Sequence, residues 1–293
     1  MRVFITGATG LIGSAVVAEL LANGHSVTAL TRSDASAAAA SAAGATAVRG
    51  SLVDLDVLRS SATDADGVIH LAFGNDFTSA EALAQNVAEE SAALSTLGDA
   101  LVGTGKPFVT VSGTPWIPGR ASTENDPLPL DGPVGGRGVS VERMLGLSSR
   151  GVRSSAIRLP RTVHNEGQGG FAGLLTQFAR QTGVAGYPGD GAQRWPAVHA
   201  LDAAVLFRLA LEGSPSGRAW HAVDDEGDTV LDIVSVIGRR LGLPVEPRPL
   251  EDFGPIGPVF ATDQPASSDL TRAELGWEPT HPRLLADLEQ LQP

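Results

Sequence analysis

Short apolar, β-branched runs alternate along the first half of the chain with segments whose apolar residues recur every three or four positions. Residues 3–6 form the first such run, 7–13 supply a glycine turn, and 14–22 repeat apolar side chains at helical spacing until Asn23-Gly24 ends the pattern. A second run, 26–30, follows at once, so the opening predicts a strand–helix–strand unit with a right-handed crossover and parallel pairing. Further strands are predicted at 46–49, 67–71, 108–112 and 154–159, with helical patterns between them. The Ala/Ser tract 33–43 sits where the second crossover helix belongs and predicts a small exposed helix. This alternation describes an α/β chain on a doubly wound parallel sheet.

Elsewhere the order is looser. Residues 113–138 crowd Pro, Gly, Asp and Asn and predict a long irregular loop. Beyond Pro160 come a Gly-rich loop, a helix at 171–181 and a turn at 187–191. Asp202 is expected to cap a helix ending at Glu212, and Thr229 or Asp232 another ending near Leu241. The proline-rich tail closes with a helix, and the region after Pro160 is expected to form a smaller C-terminal substrate lobe. The domains expected are 1–160, with 198–225 contributing to it, and a lobe from 161–197 and 226–293.

Gly7-Ala8-Thr9-Gly10-Leu11-Ile12-Gly13 follows a strand and opens a helix, the setting of a dinucleotide site. The first glycine permits the tight turn, the second lets backbone approach a pyrophosphate, and the third lets helix and strand pack closely. The helix N-terminus then faces the phosphates. The second strand ends Leu30-Thr31-Arg32, with Thr31 where an acid would hold the ribose hydroxyls of NAD and Arg32 offering a forked contact to a 2′-phosphate. Despite Asp34 nearby, the expected cofactor is NADP(H), in a Rossmann-type sheet.

Thr6-Gly7-Ala8-Thr9-Gly10 resembles the short-chain dehydrogenase/reductase superfamily. Val68-Ile69-His70-Leu71-Ala72, Val109-Thr110-Val111-Ser112, Ile157-Arg158-Leu159-Pro160, Val198-His199-Ala200-Leu201-Asp202 and Leu275-Gly276-Trp277-Glu278-Pro279 look like landmarks of its extended, epimerase/dehydratase-like branch, in order. The resemblance implies cofactor contacts from Gly7, Thr9, Gly10, Leu11, Ile12, Gly13, Arg32, Leu52, Leu71, Ala72, Phe73 and Pro160. Ser51 stands where the family has an adenine-contacting Asp, and Asp54 is expected to be a helix cap. Relatives often dimerise through helices, which makes a homodimer an expectation.

The resemblance also implies a Ser/Thr, a Tyr and a Lys, the last two four residues apart on one helix. Aligning Glu142 with the family's glutamate puts Val134 at the Tyr position and Gly138 at the Lys position. Lys106 is the only lysine and Tyr187 the only tyrosine in the chain, so the pair cannot exist. The candidates that remain are Ser112 or Thr114 for polarising the substrate oxygen and His164, or water, for the proton. Tyr187 is a further candidate donor. His199 and Asp202 suggest helix capping, and Arg194 hints at an anionic or oxygen-rich substrate. No metal is expected, since no His/Asp/Glu cluster has ligand spacing.

Charge and composition narrow the partners. A formal charge of -12 repels nucleic acid and anionic membranes, leaving a small molecule as the expected partner. The absence of cysteine removes thiolate chemistry and fits a cytoplasmic setting, and no apolar run is long enough to span a bilayer. The leading expectation is an NADPH-dependent oxidoreductase acting on a carbonyl or related unsaturated group. The alternatives are a non-catalytic NADP(H)-binding sensor or scaffold and a redox-neutral epimerase or dehydratase.

Overall fold

The structure, a computed structural model, describes residues 1–74, 76, 78–132 and 135–292. In chain order the first elements are β1 (Arg2–Thr6), α1 (Leu11–Ala22), β2 (Ser26–Thr31), α2 (Asp34–Ala42), β3 (Thr46–Arg49) and α3 (Leu55–Asp64). Next come β4 (Gly67–His70), α4 (Ala80–Leu101), β5 (Pro107–Gly113), α5 (Gly135–Leu145) and β6 (Arg153–Leu159). The remainder holds β7 (Thr162–His164), α6 (Gly170–Thr182), β8 (Ala185–Pro188), β9 (Arg194–His199), α7 (Ala200–Gly213) and β10 (Arg218–His221). It continues with β11 (Asp225–Thr229), α8 (Val230–Leu241), β12 (Val245–Arg248) and the short helices α9 (Gly257–Phe260), α10 (Asp269–Leu275) and α11 (Leu284–Leu288).

Seven strands form one sheet in the order β10-β6-β5-β4-β1-β2-β3, with β1–β2, β1–β4, β2–β3 and β4–β5 parallel. The chain winds outward from β1 through β2 to β3 and then crosses to β4 on the other side of β1. This is the doubly wound Rossmann-type arrangement, and the reversal leaves a crevice at the carboxyl ends of β1 and β4. The strands carry near-continuous apolar runs because helices cover them: Leu58 of α3, Leu94 and Leu97 of α4 and Met144 of α5 are buried against Phe4, Val68 and Phe108. On α7, Arg208 reaches Glu19 of α1 at 2.6 Å.

The chain divides into two compact units, the first comprising Met1–Ser112, Pro127–Arg158 and Ala204–Trp220, the second Gly113–Asp126, Leu159–Ala203 and His221–Pro293. The second unit is the distinct C-terminal lobe. It holds the three-stranded sheet β11-β9-β7 and the pair β12-β8. Its core is aromatic, Trp195 meeting Phe171 at 5.5 Å and Phe260 at 5.2 Å between ring centres. Helix α8 buries Val230, Ile233, Val234 and Ile237 at helical spacing and starts at Thr229, whose hydroxyl accepts the amide of Asp232.

Three local expectations are corrected. The loop expected across 113–138 gives way to helix at Gly135, because contacts distant in sequence hold this glycine-rich turn: Arg137 forms a forked ion pair with Glu90 of α4. Tyr187 and Pro188 belong to β8, paired with β12, rather than to a turn. Asp202 caps nothing in its own helix; its buried carboxylate accepts the backbone amides of Thr280 and His281 instead. Among the described residues no helix is long and apolar enough to cross a membrane.

Candidate cofactor site

The carboxyl ends of β1 to β4 open onto a cavity of about 700 Å³. Gly7, Thr9 and Gly10 line it from the β1–α1 turn, Thr31, Arg32, Ser33 and Ser36 from the end of β2, and Ser51 and Leu52 from the end of β3. Leu71, Ala72, Phe73 and Gly74 after β4, with Glu89 of α4, complete the wall. Leu11, Ile12 and Gly13 form the first turn of α1, whose N-cap is Gly10 and which no side chain caps. Its first amides are therefore left for a ligand, and their positive end suits an anion.

Two glycines shape this cradle. Gly7 has φ +77°, and a β-carbon on it would lie 2.8 Å from the amide nitrogen of Ala72. A β-carbon on Gly13 would lie 2.0 Å from the carbonyl oxygen of Gly7. Only bare backbone allows helix and turn to approach this closely. The turn is also tied to β4. The Thr6 hydroxyl lies 2.9 Å from His70 Nδ1, in hydrogen-bond contact, and accepts the Ala72 amide at 3.2 Å. Burial, and then the positive charge of Arg137, press the His70 pKa down to about 3.

Where β2 and β3 end, the cavity offers hydroxyls. Ser33 and Ser36 form a reciprocal capping box at the start of α2, their oxygens 3.1 Å apart. Ser51 donates both its amide and its hydroxyl to Asp54 Oδ2, each at 2.7 Å. Asp54 stands at the N-cap of α3, as expected, but its side chain bonds no amide of that helix; its carboxyl is held below its ordinary range by the Ser51 hydroxyl and then by the Ser51 amide. The Ser51 oxygen keeps lone pairs to accept a ligand N–H. The fold thus draws together most of the residues proposed as cofactor contacts; Pro160 instead belongs to the second unit.

At the end of β5 the Ser112 hydroxyl is buried and has no hydrogen-bond partner. Gly138, at the family's lysine position, lies on a face of α5 closed by backbone: a β-carbon there would be 2.2 Å from the carbonyl oxygen of Pro129. Val134, at the family's tyrosine position, lies outside the described residues.

The other catalytic candidates belong to the second unit. The Thr114 hydroxyl is buried without a partner. His164 lies in β7 rather than in a loop, is only 1 % exposed, and donates from Nδ1 to Asp287 Oδ2 at 2.8 Å. The Gly167 amide donates to the same oxygen; burial pushes the Asp287 carboxyl up, but the bonds from His164 and Gly167, with the charge of the neighbouring imidazoles, together hold it below its ordinary range. His199 stands edge-on to His164 with ring centres 5.3 Å apart, and stacks on His281 at 4.9 Å. Its Nδ1 accepts the Leu201 amide, and burial, followed by His164, lowers its pKa.

Ligand-type atoms of His164, His199 and Asp287 lie within 4.8 Å of one another, a grouping invisible in sequence spacing. Their hydrogen bonds oppose coordination. A neutral His199 that accepts the Leu201 amide on Nδ1 carries its proton on Nε2, and Asp287 already serves two donors. The three instead pin β7, β9 and α11 together. Arg194, expected to meet an anionic substrate, is occupied by Asp263 at 2.9 Å. Tyr187 is half-buried in β8.

The profile of the NAD dependent epimerase/dehydratase family matches residues 3–222. Uncharacterized proteins of Schizosaccharomyces pombe and Saccharomyces cerevisiae are 41% and 40% identical, each aligned over 98% of both chains. The structure of MoeE5 in complex with UDP-glucose and NAD covers 99% of this chain and 97% of its own, with TM-score 0.78 and 22% identity. The UDP-glucose 4-epimerase of Thermus thermophilus in complex with NAD covers the same shares, with TM-score 0.77 and 21% identity.

The expectation of NADP(H) is corrected by these findings: the family is described by NAD, and both solved structures hold NAD. The NADPH-dependent reductase reading falls with it. Arg32 lines the cavity beside Ser33 and Ser36 with its side chain exposed, and a lone solvated guanidinium does not by itself select a 2′-phosphate.

Proposed function

Because the chain belongs to the NAD dependent epimerase/dehydratase family, we propose that it holds NAD in the cavity at the carboxyl ends of β1 to β4. There it acts as a redox-neutral epimerase or dehydratase on a nucleotide-linked sugar. The observation that carries this reading is the uncapped first turn of α1 facing a cavity whose walls continue past β3 on one side and β4 on the other. Such a cavity accepts a pyrophosphate at its middle and a nucleoside at each end.

The chain's own residues divide the work along the cavity. The amides of Leu11, Ile12 and Gly13 hold the pyrophosphate, Ser33 and Ser36 bond the adenosine ribose, and the Ser51 oxygen accepts from adenine. Phe73 and Gly74 wall the opposite end. When bound, NAD would supply a reversible hydride acceptor for a carbinol carbon, and with the Tyr/Lys pair absent the hydroxyl proton passes to and from water. Ser112, whose buried hydroxyl lacks a partner, orients the substrate oxygen. Support for a sugar nucleotide comes from the two solved structures of this fold, one holding UDP-glucose and the other named for acting on it.

The test is incubation with catalytic NAD+ and a panel of UDP- and dTDP-linked sugars, followed by NMR and NADH absorbance. The expected result is an inverted stereocentre or loss of water with no accumulation of NADH. Stoichiometric NADH, or bound NAD without turnover of any sugar nucleotide, contradicts the proposal.

A further inference from the structure

The missing lysine has no room to return. Backbone of Pro129 and Leu130 lies against α5, where β-carbons on Gly138 and Gly135 would fall 2.2 Å and 2.6 Å from main-chain atoms. One position earlier, Arg137 leaves the helix toward α4. Its Nε and a terminal nitrogen donate to the two carboxylate oxygens of Glu90 at 2.7 and 2.8 Å. The Glu90 side chain is 2% exposed and that of Arg137 27%. Above Phe73, the guanidinium carbon sits 4.1 Å from the ring centre.

A buried ion pair is poor evidence of stabilisation, since desolvating both charges offsets most of their attraction. This one is better understood by what it immobilises. Phe73 lines the cofactor cavity. The next residue, Gly74, is pressed onto the same helix face one turn earlier: a β-carbon there would lie 1.9 Å from Asn86 Oδ1, and Asn86 donates to the carbonyl of Asp76 at 2.7 Å. Asn86 and Glu90 are four residues apart and hold the segment after β4 from one side. Arg137 closes it from the other.

We infer that Arg137, clamped by Glu90 and laid over Phe73, is a positioning residue that fixes the wall seating the nicotinamide half of NAD. The inference rests on the NAD-binding reading of the cavity. It does not make Arg137 a proton donor. A guanidinium stays charged, and this one acts through the Phe73 ring by cation–π attraction and planar stacking.

The experiment compares calorimetric titrations of NAD+ and of ADP, which lacks the nicotinamide half, into wild type, Arg137→Met and Arg137→Lys. Arg137→Met is expected to weaken NAD+ about tenfold and leave ADP unchanged. Arg137→Lys, which keeps the charge but loses the fork, is expected to fall between. Equal weakening of NAD+ and ADP marks a merely structural role and overturns the inference. So does unchanged NAD+ affinity in Arg137→Met, an outcome in which the NAD reading survives. Wild type that binds ADP but gains nothing from the nicotinamide half also overturns it, and wild type that binds neither ligand removes the NAD reading itself. If Arg137→Met does not fold, Arg137→Lys decides by the same NAD+ to ADP comparison.

Discussion

Replacing Gly13 by alanine isolates the close approach on which the cofactor cradle depends. The added β-carbon would lie 2.0 Å from Gly7 O, 2.8 Å from Gly7 C and 2.9 Å from Ala8 C, all main-chain atoms of the turn. No side chain can rotate away, so backbone must move. Helix propensity favours alanine by up to ~1 kcal/mol, while overpacking of this kind costs ~1–3 kcal/mol, and the steric term wins because its partner is rigid. The expected net loss is ~1–2 kcal/mol, a fall in Tm of roughly 2–8 °C. Displacing the turn also removes amide contacts to a charged group, each worth ~1.5–3 kcal/mol, so NAD+ affinity is expected to fall by roughly ten- to a hundredfold. Thermal melting and NAD+ titration measure the two effects. Gly213→Ala is the control, since a β-carbon at that helix end meets nothing within 4 Å. Wild-type melting and affinity in Gly13→Ala refute the packing argument.

Three further outcomes test other links. Thr6→Val removes the acceptor of the Ala72 amide and the hydrogen-bond partner of His70 Nδ1; denaturant melts are expected to show a loss of ~1–3 kcal/mol. NAD+ titration of the same variant is expected to show weaker binding as the segment after β4 loosens. Asp287→Ala strands the buried donors of His164 and Gly167 and is expected to cost ~2–5 kcal/mol in urea unfolding, with Asp287→Asn milder; a loss below ~0.5 kcal/mol counts against the pin. Burial, followed by Asp225 and Asp232, raises the Asp228 carboxyl to about 6. The folded state therefore binds more protons between about pH 4 and 6, and wild-type stability falls as pH rises through that window. Asp228→Asn is expected to gain roughly 1 kcal/mol at pH 7, discounted for partial solvation, and to lose that advantage below about pH 4. A pH-independent difference contradicts the assignment.

The Rossmann half of the molecule is legible in the sequence because its signals are local. β1 is a continuous apolar run, the turn is written in three glycines, and α1 stops at Asn23-Gly24, as the structure shows. Thr229 likewise announces α8 from within one turn. What escapes such inspection depends on partners far away in the chain. The start of α5 at Gly135 looks like loop because its support comes from Glu90. His164 looks like a loop histidine because Asp287, which fixes its tautomer, arrives with the final helix. Asp202 occupies a capping position by spacing, yet its acceptors serve amides nearly eighty residues later. The choice of cofactor is misread for a different reason: Arg32 is a local signal, but a single exposed guanidinium after β2 does not by itself select a phosphorylated ribose.

Amide hydrogen exchange with and without saturating NAD+ tests the central claim most directly. Protection is expected in the β1–α1 turn, above all at Leu11, Ile12 and Gly13, and in the segment Leu71 to Gly74. Exchange that NAD+ leaves unaltered there, or protection confined to other parts of the chain, contradicts it.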